Sequence, residues 1–478
     1  MNTEEKNGVC AIQRKRILVV GDIILDRYKI GEVHRISPEA PISVFLEQKT
    51  KDCLGGAGNV ALNLCSCNQD VVLCSIVGAD DAGRTIERLL KINHIEAHLI
   101  VDSLRKTTVK QRYSTFDGAQ LFRADIEDDY FINGQVEKKL LSCISKVLPL
   151  CDLVVLSDYA KGALPEKVIS TIIYKAHKCG KKAIVDPKKA PFEKYRDCDI
   201  IKPNINEFLQ MIGQLSIAED AIHDQCVSLC KQYNYGGMVI TRGEDGMFYF
   251  QNENDFGSIP ARNVEVKDVS GAGDTALAFL SAAIASGICL KEATKIANCA
   301  SALKVTKKGA IPISIFELEH LNNKIVLLKD IQRLKQHLEG EQIVFTNGCF
   351  DLLHAGHIFG LQTAANMGDV LIVGINTDSS VRKLKGKDRP IICLERRLEM
   401  LSALACVDYI IPFDSETPID IISMLLPNVL VKGSDYINKE VVGADVVKNN
   451  GGRVEFIPLV EGVSTTGIIH RILRDSDD

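Results

Sequence analysis

Two short stretches carry residues whose types and spacing suit phosphoryl chemistry. In "DVSGAGDT" (268–275), Gly271, Ala272 and Gly273 leave backbone N–H groups bare ahead of the small-residue run "ALAFLSAAIASG". Unsatisfied donors and the helix dipole together bind anions at such a helix start. Asp274 follows where a transferred phosphate would arrive, and phosphorylating an alcohol benefits from a carboxylate base within hydrogen-bond reach. In "TNGCFDLLHAGH" (346–357), His354 and His357 flank Gly356 just after the apolar run "IVF". Imidazole N–H groups at a strand end can donate to a triphosphate and follow charge as it develops on a leaving group. Zinc is the competing chemistry for two histidines, but the HExxH pattern is absent and no third ligand set is evident.

Weaker signals surround each stretch. "LGGAGNVALNL" (54–64) places Gly55, Gly56 and Asn59 at a helix start, suited to close approach by a polyhydroxyl ligand. "KPNINEF" (202–208) sets Asn204, Ile205, Asn206 and Glu207 at a strand end. That pattern suits phosphate and hydrated Mg²⁺, with Glu207 acting indirectly, and equally suits a helix cap with a first-turn glutamate. Basic residues gather at Arg27, Arg35, Lys110, Arg112, Arg123 and Lys161. A neutral sugar needs no such cluster, whereas an acceptor already carrying a phosphate does. In the later part, "GINTD" offers Asn376 and Asp378 for Mg²⁺ or nucleotide hydroxyls, and "RKLKGKDRP" (382–390) reads as a basic loop able to fold over phosphates. "VKGSDY" adds Lys432, and "EGVSTTGII" adds Ser464, Thr465 and Thr466; Asp351 is expected to order its turn rather than act as a base.

These groups need a scaffold that presents strand ends. "RILVVGDIILD", "VVLCSIVGADDAG", "LVVLSDYAKG", "KAIVDPKK", "DIIKPNINE" and "GMVITRGEDGM" read as buried strands with polar carboxyl ends and helices between several of them. That alternation argues for an α/β sheet with crossover helices. "TTVKQRYSTFDGAQLFRAD", with Asp117-Gly118 between two alternating runs, predicts a hairpin. With "PISVFLEQ" it suggests a small side sheet. A charged helical segment near 312–340 precedes five further strands, "IVFTNG", "VLIVGINTD", "VDYIIPFD", "VLVKGSDY" and "RVEFIPL". The reading is two domains, 1–323 and 328–478.

Bulk properties exclude other classes. A chain of 478 residues exceeds one ordinary domain. A net charge of -5 exerts no general pull on nucleic acid or anionic membrane, and no apolar run approaches the ~20 residues of a membrane span. The N-terminus lacks a signal-peptide core, so a cytoplasmic protein is expected. The 16 cysteines lie scattered in apolar segments without a CxxC pair, and read as small buried thiols in a reducing compartment.

In chain order, "LGGAGNVALNL", "KPNINEF" and "DVSGAGDT" make residues 12–320 resemble the ribokinase-like (PfkB) sugar kinases. HxGH with the "STT" block makes the remainder, from about 341, resemble the cytidylyltransferase-like nucleotidyltransferases. Further matching text, including "GDIILDRY", "RISPEAP", "SDYAKGAL", "LKGKDRP" and "LVKGSDY", makes the whole chain similar to the bifunctional heptose-7-phosphate kinase / heptose-1-phosphate adenylyltransferase family of Gram-negative bacteria. Departures are Ser270 and Ser434, where threonine and glycine are expected, and Val463 in place of a common cysteine.

The resemblance implies a three-layer α/β/α kinase domain with a small β side sheet, then a Rossmann-like domain on a five-stranded parallel sheet. It implies Asp274 as general base, Gly271–Gly273 as anion hole and 204–207 at the ATP and Mg²⁺ site. Asp26, Gly55, Gly56, Asn59, Lys110, Arg112, Arg123 and Lys161 would face the sugar phosphate. Thr346, Asn347, Gly348, Phe350, His354, His357, Asn376, Asp378, Lys432 and Ser464–Thr466 would serve the transferase nucleotide. It further implies ATP as substrate of both halves, Mg²⁺, a homodimer formed through the side sheet, and a separate heptose bisphosphate phosphatase acting between the two steps. The product would be ADP-heptose for lipopolysaccharide core synthesis.

Overall fold

The computed structural model describes residues 11–458 other than 117, 308, 310 and 322. It divides into two compact units, Met1–Leu318 and Glu319–Asp478. The second begins ahead of its first helix because Lys324–Val326 is held to the second sheet. Val326 N–H donates to Ile410 O at 2.9 Å, and Ile410 N–H donates to Lys324 O at 2.7 Å.

The first unit is built on a nine-stranded sheet. Its order is Asp255–Ile259, Met247–Asn252, Met238–Thr241, Ile200–Ile201, Lys182–Asp186, Leu153–Ser157, Arg16–Gly21, Asp70–Gly78 and Glu96–Asp102. Seven of these strands run parallel, and the Met247–Ile259 hairpin closes one edge antiparallel. Leu18, Val20, Val154 and Leu156 pack against helices Gly134–Val147 and Glu166–Lys178. The alternating Ile17, Val19 and Val155 point to the opposite face, where Ala57–Ser66 and Ala272–Ala285 lie. Both faces are therefore covered, as the continuous apolar runs require.

The run "RILVVGDIILD" is two strands rather than one. It leaves the large sheet at Gly21 and enters a four-stranded sheet at Ile23, with Asp22 at the crossing. That side sheet orders Ser43–Gly56, Ile23–Ile36, Val109–Ser114 and Gln120–Ile126. The last two strands form the hairpin expected around Asp117-Gly118, although Asp117 itself lies outside the described residues. The hairpin Met247–Asn252/Asp255–Ile259 and the edge strand Glu96–Asp102 were not among the expected strands.

The second unit is a five-stranded, all-parallel sheet in the order Tyr409–Phe413, Val370–Asn376, Ile343–Gly348, Val429–Gly433, Arg453–Ile457. The stretch 382–390 is not wholly a loop. Arg382, Lys383 and Lys385 continue helix Asp378–Lys385, where basic side chains meet the negative end of the helix dipole.

Candidate functional sites

In the first unit the sheet's carboxyl ends converge on Asp274. Gly271 caps helix Ala272–Ala285 with φ 77°, a conformation that glycine adopts without strain. A Cβ there would come within 2.9 Å of the Asn59 side-chain nitrogen, whereas Gly273 faces open space. Asp274, in the first turn, is only 6 % exposed. Asn59 Nδ2 donates to Asp274 Oδ2 at 2.6 Å, and Tyr159 Oη donates to Oδ1 at 2.5 Å. Burial pushes the Asp274 carboxyl above its ordinary value, and the two donated hydrogen bonds pull it back. Asn59 is itself fixed by Asn63, whose Nδ2 donates to Asn59 Oδ1 at 3.1 Å; Thr275 Oγ1 donates to Asn63 Oδ1 at 3.0 Å.

Tyr159 is placed by the strand crossing. Asp22 accepts from the backbone N–H groups of Tyr159, Lys161 and Ala163 at 2.9–3.1 Å, so it shapes the loop that carries Tyr159. The cations of Lys110 and Lys188 stand 5.4 and 5.9 Å from the centre of the Tyr159 ring. Neither Asp22 nor Tyr159 stood out in sequence; the "GDIILD" and "SDYAKG" text that contains them was the available signal.

One open cleft is lined by Asp274, Gly271, Gly273, Tyr159, Asp186, Lys188, Lys202, Asn204 and Glu207, among others. Asn204 and Glu207 form a reciprocal capping box on helix Ile205–Ile212. Glu207 Oε1 also accepts from Lys188 Nζ at 3.0 Å, so both of its oxygens are engaged. Lys202 Nζ lies 2.7 Å from Asp186, whose carboxyl burial pushes up to about 6 despite that cation. Lys188, Lys202 and Asp186 are further polar groups that the motifs did not single out.

Gly55 and Gly56 serve close packing: a Cβ on Gly55 would sit 2.3 Å from Asp26 Oδ2, and one on Gly56 2.4 Å from Asp22 O. The side sheet aligns Asp26 with Lys110, Tyr28 with Arg112, Arg112 with Arg123, and Lys110 with Asp125. Arg112 bonds Asp26 and Arg123 pairs with Asp125 at 2.9 Å. Lys161 is taken by Glu127 at 2.7 Å, Arg27 by Asp52 at 2.7 Å, and Arg35 is exposed. Burial lowers the Lys110 ammonium from its usual value, with Arg112 and Arg123 adding repulsion.

In the second unit, strand Ile343–Gly348 runs into the turn before helix Ala355–Ala365, and His354 is that helix's N-cap. The His354 and His357 rings stack with centroids 3.8 Å apart, and Phe350 meets His357 edge-on at 5.3 Å. Both Nδ1 atoms are buried without a partner. Burial, then His354 and Lys385, bring the His357 imidazole down to about 4; burial also lowers His354. Lys432 bonds Asn347 Oδ1, and burial brings its ammonium down to about 8. Thr346 Oγ1 donates to Val431 O at 3.1 Å, tying the two neighbouring strand ends together. Phe350 takes φ 48°, and its ring occupies the space over Gly348.

Asp351 is 1 % exposed and accepts from Arg389 and from the N–H groups of Ile391 and Ile392 at 2.7 and 3.0 Å. It thus pins the far end of the basic segment. Arg397, fully buried, donates to Cys349 O, Asn376 O, Ile392 O and Asp378 Oδ1. Asp378 is therefore held by an internal cation. Asn376 Nδ2 donates to Ser380 Oγ at 2.9 Å, and its Oδ1 accepts from Cys349 Sγ at 3.9 Å. Sequence alone offered no signal for Arg397, because "LERRLEM" looks like an exposed charged helix. Ser464, Thr465 and Thr466 lie outside the described residues. Among the described residues no cluster of three His, Cys, Asp or Glu is arranged to hold a metal, and no helix is long and apolar enough to cross a membrane.

Two family models match the chain: the pfkB family carbohydrate kinases over residues 14–315 and the cytidylyltransferase-like family over 345–471. The first unit resembles solved structures of a putative ribokinase from Agrobacterium tumefaciens and of Escherichia coli phosphofructokinase-2 with fructose-6-phosphate. These are 20% and 17% identical, with TM-scores of 0.52 and 0.55, and cover 65% and 64% of this chain and 97% of each of theirs. Such likeness establishes the ribokinase-like fold. Bifunctional protein HldE of Coxiella burnetii is 39% identical over 98% of this chain and 100% of its own. Its namesake in Nitratiruptor is 40% identical over 96% and 99%. The chain, a carbohydrate kinase of pfkB type joined to a cytidylyltransferase-like nucleotidyltransferase, belongs to the bifunctional HldE family.

Proposed function

We propose that the first unit transfers the γ-phosphate of ATP to O1 of D-glycero-β-D-manno-heptose 7-phosphate, giving the 1,7-bisphosphate. The second unit joins AMP from ATP to D-glycero-β-D-manno-heptose 1-phosphate, giving ADP-heptose and pyrophosphate for lipopolysaccharide core synthesis. The carrying observation is a buried Asp274 held between Asn59 and Tyr159, in a chain whose kinship to bifunctional relatives spans both units.

In the kinase step the acceptor hydroxyl gives its proton to Asp274 as its oxygen bonds to phosphorus and the ADP oxygen leaves. Burial raises the basicity of Asp274, while the hydrogen bonds from Asn59 and Tyr159 favour its ionised form and aim it. Lys188, Lys202 and the N–H groups of Gly271 and Gly273 offset charge on the transferred phosphate, whereas the Ala272 N–H, expected to be bare, donates to Val269 O at 3.3 Å. The carboxylates of Asp186, Glu207 and Asp274 give the cleft hard oxygen donors. Among the described residues no three-ligand cage is built, and Asp186, Glu207 and Asp274 are the groups that would hold Mg²⁺ at this cleft. When bound, Mg²⁺ neutralises charge on the ATP phosphates. Arg112 and Lys110, with Arg123 beside them, are assigned to the acceptor's own phosphate.

The second step needs no base, since a sugar 1-phosphate oxygen is already anionic and positioning with charge neutralisation suffices. His354, His357 and Lys432 donate to the nucleotide phosphates; Thr346 and Asn347 hold the strand ends that present them. The intermediate bisphosphate is the substrate of a separate phosphatase, and the protein works as a homodimer in the cytoplasm.

Product analysis tests this reading. Heptose 7-phosphate, ATP and Mg²⁺ should yield the bisphosphate alone, and ADP-heptose once the phosphatase is added. CTP in place of ATP should give no nucleotide sugar from heptose 1-phosphate; a CDP-sugar would refute the assignment of the second half.

A further inference from the structure

We propose that Cys143 and Cys74 of the kinase unit form a reversible disulfide under peroxide, a redox modification site separate from either active site. Their sulfurs lie 3.9 Å apart although the residues are 69 positions apart in sequence. Cys74 is fully buried on strand Asp70–Gly78. Cys143 is half-buried on helix Gly134–Val147 and lines an open groove with His98, Lys138, Lys139 and Lys146. Cys143 is thus the member of the pair that lines the groove, and Cys74 is its fully buried neighbour. Forming an S–S bond of about 2.05 Å asks for roughly 2 Å of approach from the 3.9 Å contact. Among the described residues the other close sulfur–sulfur contact, Cys226 to the Met238 thioether at 3.7 Å, offers no disulfide.

The order of events follows from access. Burial holds the Cys74 thiol far above its ordinary value, so it is a poor first nucleophile. Cys143 sulfur attacks the O–O bond of hydrogen peroxide, giving a sulfenic acid and one water. Cys74 sulfur then displaces hydroxide from that sulfenic acid, and the Cys74 proton leaves with it as a second water. Two thiols and one peroxide become one disulfide and two waters. A dithiol reverses the bond.

The test uses the full chain treated with hydrogen peroxide, alkylated, digested and mapped by mass spectrometry. The expected result is a peptide joining Cys74 to Cys143, lighter by two hydrogens and released by dithiothreitol. In Cys74→Ser or Cys74→Ala, Cys143 should instead be trapped by dimedone as a sulfenic acid. In Cys143→Ser, Cys74 should stay reduced. The proposal is overturned if wild-type Cys143 alkylates as readily after peroxide as before. It is equally overturned if Cys143 is found joined to another cysteine. The wild-type map decides this even if a variant fails to fold.

Discussion

Tyr159 Oη donates to Asp274 Oδ1 at 2.5 Å, across 115 positions of sequence, and Asp22 fixes the loop from which Tyr159 reaches. The proposed base of the kinase site is thus set by the point at which one strand leaves the large sheet for the small one.

Tyr159→Phe should change the pH dependence of phosphorylation in a defined direction. Burial raises the Asp274 carboxyl and the Tyr159 hydrogen bond lowers it, so removing the bond raises it further. A base must be ionised, so the acidic limb of kcat/KM moves to higher pH, by about one unit for a hydrogen bond of ~1.5 kcal/mol. A pH–rate profile of the kinase reaction checks this; an unmoved limb with only a lower plateau would contradict it.

Adenylyl transfer should weaken on the alkaline side. Burial brings the Lys432 ammonium down to about 8, so in the free enzyme its charge is lost as pH rises through that value. The kcat/KM for ATP in the second reaction should fall above about pH 8, while kinase kcat/KM shows no limb from this group. Lys432→Ala should remove the limb along with about a hundredfold of activity, the range found for lost transition-state donors.

Arg112→Ala should raise KM for the sugar phosphate far more than KM for ATP, by tenfold or more for a charge-assisted bond worth ~1.5 kcal/mol. Freed Asp26 would add repulsion toward the acceptor phosphate. Equal effects on both KM values would remove Arg112 from the acceptor site.

Arg397→Ala should destabilise the second unit by on the order of 3 kcal/mol, because it strands Asp378 and three carbonyls in or near the interior. Denaturant unfolding that reports separately on each unit would show the loss confined to the second. Arg397→Lys should recover little, since one ammonium cannot reproduce the guanidinium's planar fork.

The parts legible in sequence were those with a local signature. Continuous apolar runs announced buried parallel strands, Asp-Gly announced a hairpin, and small residues after "GAGD" announced a helix start. What was not legible depends on distant pairing. The apolar residues on both sides of Gly21-Asp22 read as one strand, because only the partner strands Leu153–Ser157 and Val109–Ser114 differ on either side. Arg397 and Tyr159 act through partners far along the chain, and Glu207 looks the same as a cap or as a ligand until Lys188 arrives beside it. The basic cluster was visible, but its division into Lys161 with Glu127, Arg27 with Asp52 and a Lys110–Arg112–Arg123 face required the sheet register.

On the proposed function, one chain carries two independent chemistries, one with a carboxylate base and one without. Both activities measured on Asp274→Asn and His354→Ala test it most directly. Asp274→Asn should abolish bisphosphate formation and spare adenylyl transfer from heptose 1-phosphate; His354→Ala should do the reverse. A folded variant of either kind that lost both activities would contradict the account.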